Sequence, residues 1–479
     1  MIFSGNSDTG FIDGFGERGE RVMKRRNLLI GSLGMPVLPF VASGCSGSDA
    51  ENPYLQGNYG PVPGESTFTE LQVTGQIPEE LTGRFLRNGP NPVGVDPSSH
   101  HWFVGRGMVH GIRLDGGRAD WYRSRYVGGD SPNTNVIGHA GRTMALVESG
   151  GLPFDMGYEL DALGNNSSIG TGYTAHPKFD PATGELHAMC YDWANLRDHI
   201  RYVVVDEDGD LAEETEIPLP GMPMIHDMSL TENYAVIFDL PVTLSFLALG
   251  TGASFPFRWD DEYEPRVGLL PRGGEASDII WRGIKPNYAF HPMNAYENED
   301  GDVVIDIARY ERMFEGDVLG PFGDSLPRLD RWTINPRDEV GADQVREETI
   351  DERAQEFPRC HPDLNGRAYR YGYAVGVEGQ GFPSIYKHDL QTGTAVAYDV
   401  GPGRHSAEPV FVPKQGGTAE DEGYLMTFVY DEGKDASELI ILDAQDLSRS
   451  PIAQVHLPAR VPYGFHGNWV ADSVVGPTA

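Results

Sequence analysis

Short strand-like runs separated by tight glycine turns recur from residue 110 to residue 400, and this punctuation is the strongest constraint on the fold. The stretches RLDGGRADWY (113–122), FDPATGELHAM (179–189), VVDEDGDLAEE (204–214), ENEDGDVVIDI (297–307) and HDLQTGTAVAY (388–398) each place an Asp-Gly, Gly-Gly or Thr-Gly step between two β-rich segments. Glycine accepts positive φ cheaply, so such steps predict hairpins. Long helical periodicity is scarce, and no alternation of strands with helices suggests a parallel sheet. Many antiparallel hairpins in one chain must hide their sheet edges, and a β-propeller does so by radial repetition. A pair of β-sandwiches is the competing arrangement. The 60 glycines and 35 prolines fit either.

Residues 1–45 follow a different logic. MKRRNLLIGSLGMPVLPFVASGC (23–45) runs from a basic cluster through an interrupted apolar centre to small residues and Cys45, the order of an export signal. The adjacent Arg25 and Arg26 suggest the twin-arginine route, and ASGC resembles a lipoprotein box that would lipidate Cys45. Met23 is a candidate true start. The expected location is outside the cell, anchored to or peripheral on the outer face of the cytoplasmic membrane. Residues 46–62, rich in Gly, Ser and Asn, are expected to be a flexible linker, and 63–479 a single domain. Apart from Cys45 only Cys190 and Cys360 remain, enough for one disulfide whose geometry the sequence does not supply.

The formal charge of −34 leaves no basic face for a phosphate backbone, which argues against a nucleic-acid partner. Six lysines stand against 31 arginines, with acids spread along the chain. A surface kept hydrated in high salt has this character, as does an ordinary acidic secreted protein. Residues 240–257, LPVTLSFLALGTGASFPF, break the pattern by being apolar and free of charge. They read either as a buried strand pair or as an exposed apolar loop that touches a membrane or guards an apolar tunnel.

Four of the 14 histidines share a setting: His176 in YTAHPKFD, His226 in PMIHDMSL, His291 in YAFHPMNAYE and His466 in YGFHGNWV. Each sits where a strand ends or breaks. Their separations place them on different blades of a propeller, whose inner strands converge on one axis. Each alone reads as a satisfied structural histidine. As a set, four neutral imidazoles suit Fe, Zn, Cu or Ni and leave positions open on an octahedral ion.

The motifs GRFLRNGPNP (83–92), GMVHGIRL (107–114), ALVESGGLP (145–153), TAHPKFDPATGEL (174–186), MIHDMSLTENYAVIFDLP (224–241), AFHPMNAYE (289–297), EFPR (356–359), AEPVFVP (407–413) and VPYGFHGNW (461–469) follow one another in the order found in the carotenoid cleavage oxygenases. The sequence resembles that family, the retinal pigment epithelial membrane protein superfamily, over about residues 62–472. The resemblance implies an all-β, seven-bladed propeller, with loops and short helices forming a dome over an axial metal site. It implies one Fe(2+) held by His176, His226, His291 and His466, with Glu148, Glu356 and Glu408 orienting three of them. A carboxylate that accepts the free ring N–H fixes the tautomer and raises ligand basicity. The last two glutamates sit in apolar settings where an unpaired acid is costly. Thr134 matches a position beside the open coordination site. The implied reaction uses O2 as co-substrate to cleave a conjugated C=C bond into two carbonyl products, with no side chain acting as general acid or base. His110 and His361 read as structural or surface residues, and Phe290 and Pro292 as packing that directs the His291 ring.

Two departures bear on the substrate. Arg106 stands where relatives commonly carry an acid, in VGRGMVH. The phenol-sensing tyrosine and lysine of stilbene-cleaving members have no counterparts in SSHHWF or after SRYV, which favours a carotenoid or apocarotenoid. The apolar 240–257 segment and a lipid anchor both suit a substrate drawn from a membrane. The alternatives are a stilbene-cleaving dioxygenase, an iron-dependent isomerase or isomerohydrolase, and a non-catalytic secreted binding propeller.

Overall fold

All five glycine turns close hairpins, pairing Asp115 with Arg118, Phe179 with Leu186, Val205 with Leu211, Glu297 with Val303 and Asp389 with Thr394. At the tightest of them Gly116 and Gly117 have φ of 52° and 78°, the two positive values that a two-residue hairpin turn requires. The computed structural model describes residues 52–128, 132–338 and 344–477. The export signal and Cys45 lie outside them.

The hairpins assemble into seven antiparallel blades of a β-propeller, so the sandwich alternative falls away. The innermost strands of blades 1 to 7 are Gly467–Ala471, Asn135–His139, Lys178–Phe179, Met228–Leu230, Tyr288–Glu297, Gln355–Cys360 and Val410–Pro413. The ring is clasped twice. The N-terminal strand Gln72–Gly75 pairs with Ala453–His456 at the edge of blade 7, and the C-terminal strand Gly467–Ala471 pairs with Gly83–Asn91 in blade 1.

Strands packed on both faces are buried along most of their length. Val303–Tyr310 is buried along its whole length, and Gly423–Asp431 is buried except at Asp431. The outer strands Leu211–Pro218 and Arg346–Asp351 are mostly accessible and carry Glu213, Glu214, Glu216, Glu347 and Glu348. Part of the large negative charge is thus carried at the periphery, where water screens it.

The linker expectation for 46–62 does not survive from Asn52 onward. Tyr54 and Tyr59 are buried, with Tyr54 stacked 6.0 Å from Trp102 and Tyr59 edge-on to Trp102 and Tyr463 at 5.2 and 4.7 Å. Two aromatics, each worth roughly 1.5–3 kcal/mol on burial, outweigh a Gly- and Asn-rich composition. Residues 240–257 contain both a strand pair and an exposed apolar turn. Val242–Leu244 and Phe257–Trp259 form a strand pair, and the short helix Phe246–Gly250 between them exposes Phe246, Leu247 and Leu249. That is the one α-helix among the described residues. Cys190 and Cys360 are both free, so no disulfide joins them.

Candidate metal centre

The strand breaks seen in the sequence aim the histidines at the axis. His291 lies within Tyr288–Glu297, where Pro292, unable to donate to the ladder, sits at a register shift against Val303–Tyr310. His176, His226 and His466 lie one or two residues ahead of their inner strands. Blade 2 pins two of these approaches. The Asn135 side chain donates to Ala175 O at 2.8 Å, and the His466 amide donates to Thr134 O at 3.1 Å.

The four buried rings offer nitrogen atoms that all lie within 4.8 Å of one another. Three have a carboxylate on Nδ1: His226 with Glu148 at 2.7 Å, His291 with Glu356 at 2.6 Å and His466 with Glu408 at 2.9 Å. For His176 the nearest acid to Nδ1 is Asp227, at 3.7 Å. Tyr191 and Tyr310 donate to Glu148 and Glu356 at 2.9 and 3.2 Å. Glu408 accepts instead from Arg359 Nε at 2.8 Å and from the Gly467 amide at 2.8 Å.

Burial, with the neighbouring rings adding to it, holds His176 and His291 well below the usual histidine range, so both are neutral donors. Burial works to raise the Glu408 carboxyl, but Arg359 and His466 outweigh it and hold it at about 2. Glu356 has no guanidinium, and burial lifts it to about 8 against the opposing Phe357 amide and Tyr310 hydroxyl. The donor set fits a divalent ion. His226 Nε2 and His291 Nε2 face each other at 3.0 Å, the separation of two nitrogens held about 2.1 Å from one ion at right angles. His176 Nε2 and Glu148 Oε2 are enclosed without a hydrogen-bond partner, which is costly unless something positive meets them.

The retinal pigment epithelial membrane protein model matches residues 59–131 and 128–471. A carotenoid cleavage oxygenase of Mycobacterium tuberculosis is 43% identical, covering 88% of this chain and 98% of its own length. The chain belongs to that family. The apocarotenoid-15,15'-oxygenase of Synechocystis is 30% identical over 91% of this chain and 99% of its own. Among solved structures, the lignostilbene dioxygenase of Pseudomonas brassicacearum superposes with a TM-score of 0.80 at 28% identity, covering 88% of this chain and 98% of that one. A cobalt-substituted Synechocystis oxygenase gives 0.76 at 28% identity, covering 86% and 97%. With these relatives the family member described here is an oxidoreductase that incorporates O2.

In this member His226, His291 and His466 line a cavity of about 290 Å³. Its wall is aromatic, including Trp102, Phe103, Phe255, Phe290, Phe357 and Phe465. Thr134 is on the wall with its hydroxyl donated to Asn133 at 3.0 Å. Loops around Trp102–Gly105, Ser254–Phe255 and Pro321–Phe322 roof it. Phe290 packs edge-on to His226 at 4.7 Å, while the ring stacked on His291 is Phe357 at 5.2 Å. Sequence reasoning missed that role of Phe357, whose φ of 50° marks a left-handed residue in the bulge after Glu356. It also missed Tyr191, Tyr310 and Arg359, although Arg359 stands inside EFPR. His110 bonds Tyr122 at 2.8 Å and His361 caps a turn by accepting from the Asp363 amide, both away from the centre. Arg106 is exposed and stacks on Tyr126 at 4.1 Å.

Proposed function

We propose that this chain is a non-haem iron(II) dioxygenase that cleaves a conjugated C=C bond of a carotenoid or apocarotenoid with O2, giving two aldehyde or ketone products. Four buried histidines, three of which (His226, His291 and His466) line an aromatic cavity, carry the reading. Bound iron supplies the one-electron chemistry through which O2 meets a closed-shell alkene. His176, His226, His291 and His466 hold the ion; Glu148, Glu356 and Glu408 orient three of the rings and offset its charge. The aromatic wall packs a flat polyene and keeps water from the reacting carbons. Thr134, on the same wall as His226, His291 and His466, would narrow the space beside a bound ion. One oxygen atom enters each carbonyl product, so the reaction balances without a reductant.

A stilbene substrate is the second reading, favoured by the 0.80 likeness to the lignostilbene enzyme. No lysine is among the described residues lining this cavity, and its tyrosines, Tyr191 and Tyr310, already donate their hydroxyls to Glu148 and Glu356, which counts against a phenol sensor. The exposed Phe246, Leu247 and Leu249 support docking on a membrane, because the same excursion returns through Phe255 and Phe257 into the cavity wall. Export and lipidation at Cys45 belong to this proposal and rest on residues 23–45 alone.

The test is anaerobic reconstitution with iron, followed by O2 uptake and product mass spectrometry over apocarotenoids and stilbenes. Near-stoichiometric iron, lost in His226→Ala, with one O2 consumed per alkene cleaved, is expected. Products formed without O2 uptake would convert the assignment to an isomerase or hydrolase. A chain that takes up no iron would leave only a binding propeller.

A further inference from the structure

His176 differs from the other three rings in having no carboxylate within hydrogen-bond range. Its Nδ1 stands 3.7 Å from Asp227 Oδ2, too far for a direct bond, and its Nε2 stands 4.0 Å from Glu148. A neutral imidazole without a partner on Nδ1 has no fixed tautomer, so a ligand in that state presents a mixture of lone pair and N–H.

Asp227 itself is held firmly. It is buried, its Oδ1 accepts from the Met228 amide at 2.6 Å, and Lys178 Nζ lies 2.8 Å from each carboxylate oxygen. Neither the ammonium nor the carboxylate borders the aromatic cavity. Both, with His176, line a second cavity of about 530 Å³ on the other side of the rings, together with the polar Arg359, Asn365 and Asn468. That space is roomy and polar enough for ordered water, and a gap of 3.7 Å between two polar atoms is where a bridging molecule belongs.

We propose that Asp227, clamped by Lys178, is the positioning residue for His176 and acts on it through a water in this second cavity. The inference rests on the metal-centre reading above. The water takes the Nδ1 proton's hydrogen bond and passes its own to Asp227, which leaves Nε2 as a lone pair directed at the shared centre. Three ligands are then oriented by direct carboxylates and the fourth by an exchangeable molecule. His176 becomes the ligand most sensitive to the far side of the propeller.

The test uses Co(II) as the probe, because its visible spectrum reports ligand geometry without turnover. Asp227→Asn removes the charge at nearly constant shape; Asp227→Glu adds one methylene, about 1.5 Å of reach, and brings a carboxylate to Nδ1 directly. We expect Asp227→Asn to weaken Co(II) binding by about 10- to 100-fold and to move its d–d bands. Asp227→Glu should restore affinity to at least the parent's, with bands displaced from both. A merely structural Asp227 would lower the melting temperature in both variants and leave the bands in place, which overturns the proposal. Should Asp227→Asn fail to fold, an unshifted spectrum in Asp227→Glu overturns it equally. If the parent chain binds no Co(II), the metal-centre reading fails and this inference with it; a parent that binds with unaltered variants refutes the inference alone.

Discussion

Replacing Glu356 separates two jobs that its carboxylate performs. Its oxygens face three donors: the His291 Nδ1–H at 2.6 Å, the Phe357 amide and the Tyr310 hydroxyl at 3.2 Å. Glu356→Ala strands all three in a buried site, at about 1–3 kcal/mol each, so a loss of roughly 3–9 kcal/mol threatens folding itself. Glu356→Gln keeps the shape. Its carbonyl oxygen can face His291 and Phe357, and its NH2 can donate to Tyr310, whose hydroxyl rotates to accept. What then disappears is the negative charge that this carboxyl, held at about 8 in the metal-free chain, takes on when a divalent ion binds beside its ring. Hydrogen bonds to charged groups contribute about 1.5–3 kcal/mol against about 0.5–1.5 for neutral ones, so the His291 contact should weaken by roughly 1–1.5 kcal/mol. That corresponds to about tenfold in metal affinity, at the lower end of the usual effect of such orienting partners. The assay is anaerobic Fe(II) titration alongside thermal unfolding of the metal-free chain. The expected pattern is near-parental unfolding for Glu356→Gln with about tenfold weaker metal binding, and gross destabilisation for Glu356→Ala. Undiminished metal affinity in Glu356→Gln would refute the claim that this carboxylate sets the ligand.

Two further outcomes follow from packing and surface chemistry. A Cβ on Gly464 would lie 2.6 Å from Asn88 O and 2.9 Å from Gly89 Cα, so Gly464→Ala must push apart NGP and PYGF, two motif backbones joined across blade 1; a loss of about 1–3 kcal/mol in chemical denaturation is expected, whereas Ala at exposed Gly250, with open space around its Cβ, should be silent. Leu247 is 80% exposed, so Leu247→Asp should leave the melting temperature unchanged while reducing sedimentation with phospholipid vesicles; equal sedimentation would remove the membrane contact from the functional proposal.

The motifs EFPR and AEPVFVP made Glu356 and Glu408 legible because an acid in an apolar run needs a partner. Which partner was a different matter. Glu148 meets His226 across 78 positions, Glu356 meets His291 across 65, and Glu408 meets His466 across 58. Nothing in the local pattern distinguishes these pairings from others, nor shows that Arg359 charges one acid while tyrosines hold the other two. Phe290 illustrates the limit, since its neighbour in sequence is His291 but the ring it packs against edge-on is His226.

By itself the sequence determined the hairpins and the all-β class, because turn chemistry and strand character are local properties of a few adjacent residues. Tertiary structure alone decided the burial of Tyr54 and Tyr59 in a stretch composed like a linker. It also decided the pairing of acids with rings, and the separation of His176 from any direct carboxylate. These depend on where distant inner strands meet at the propeller axis. Distance and desolvation set them, and neither is a property of neighbouring letters.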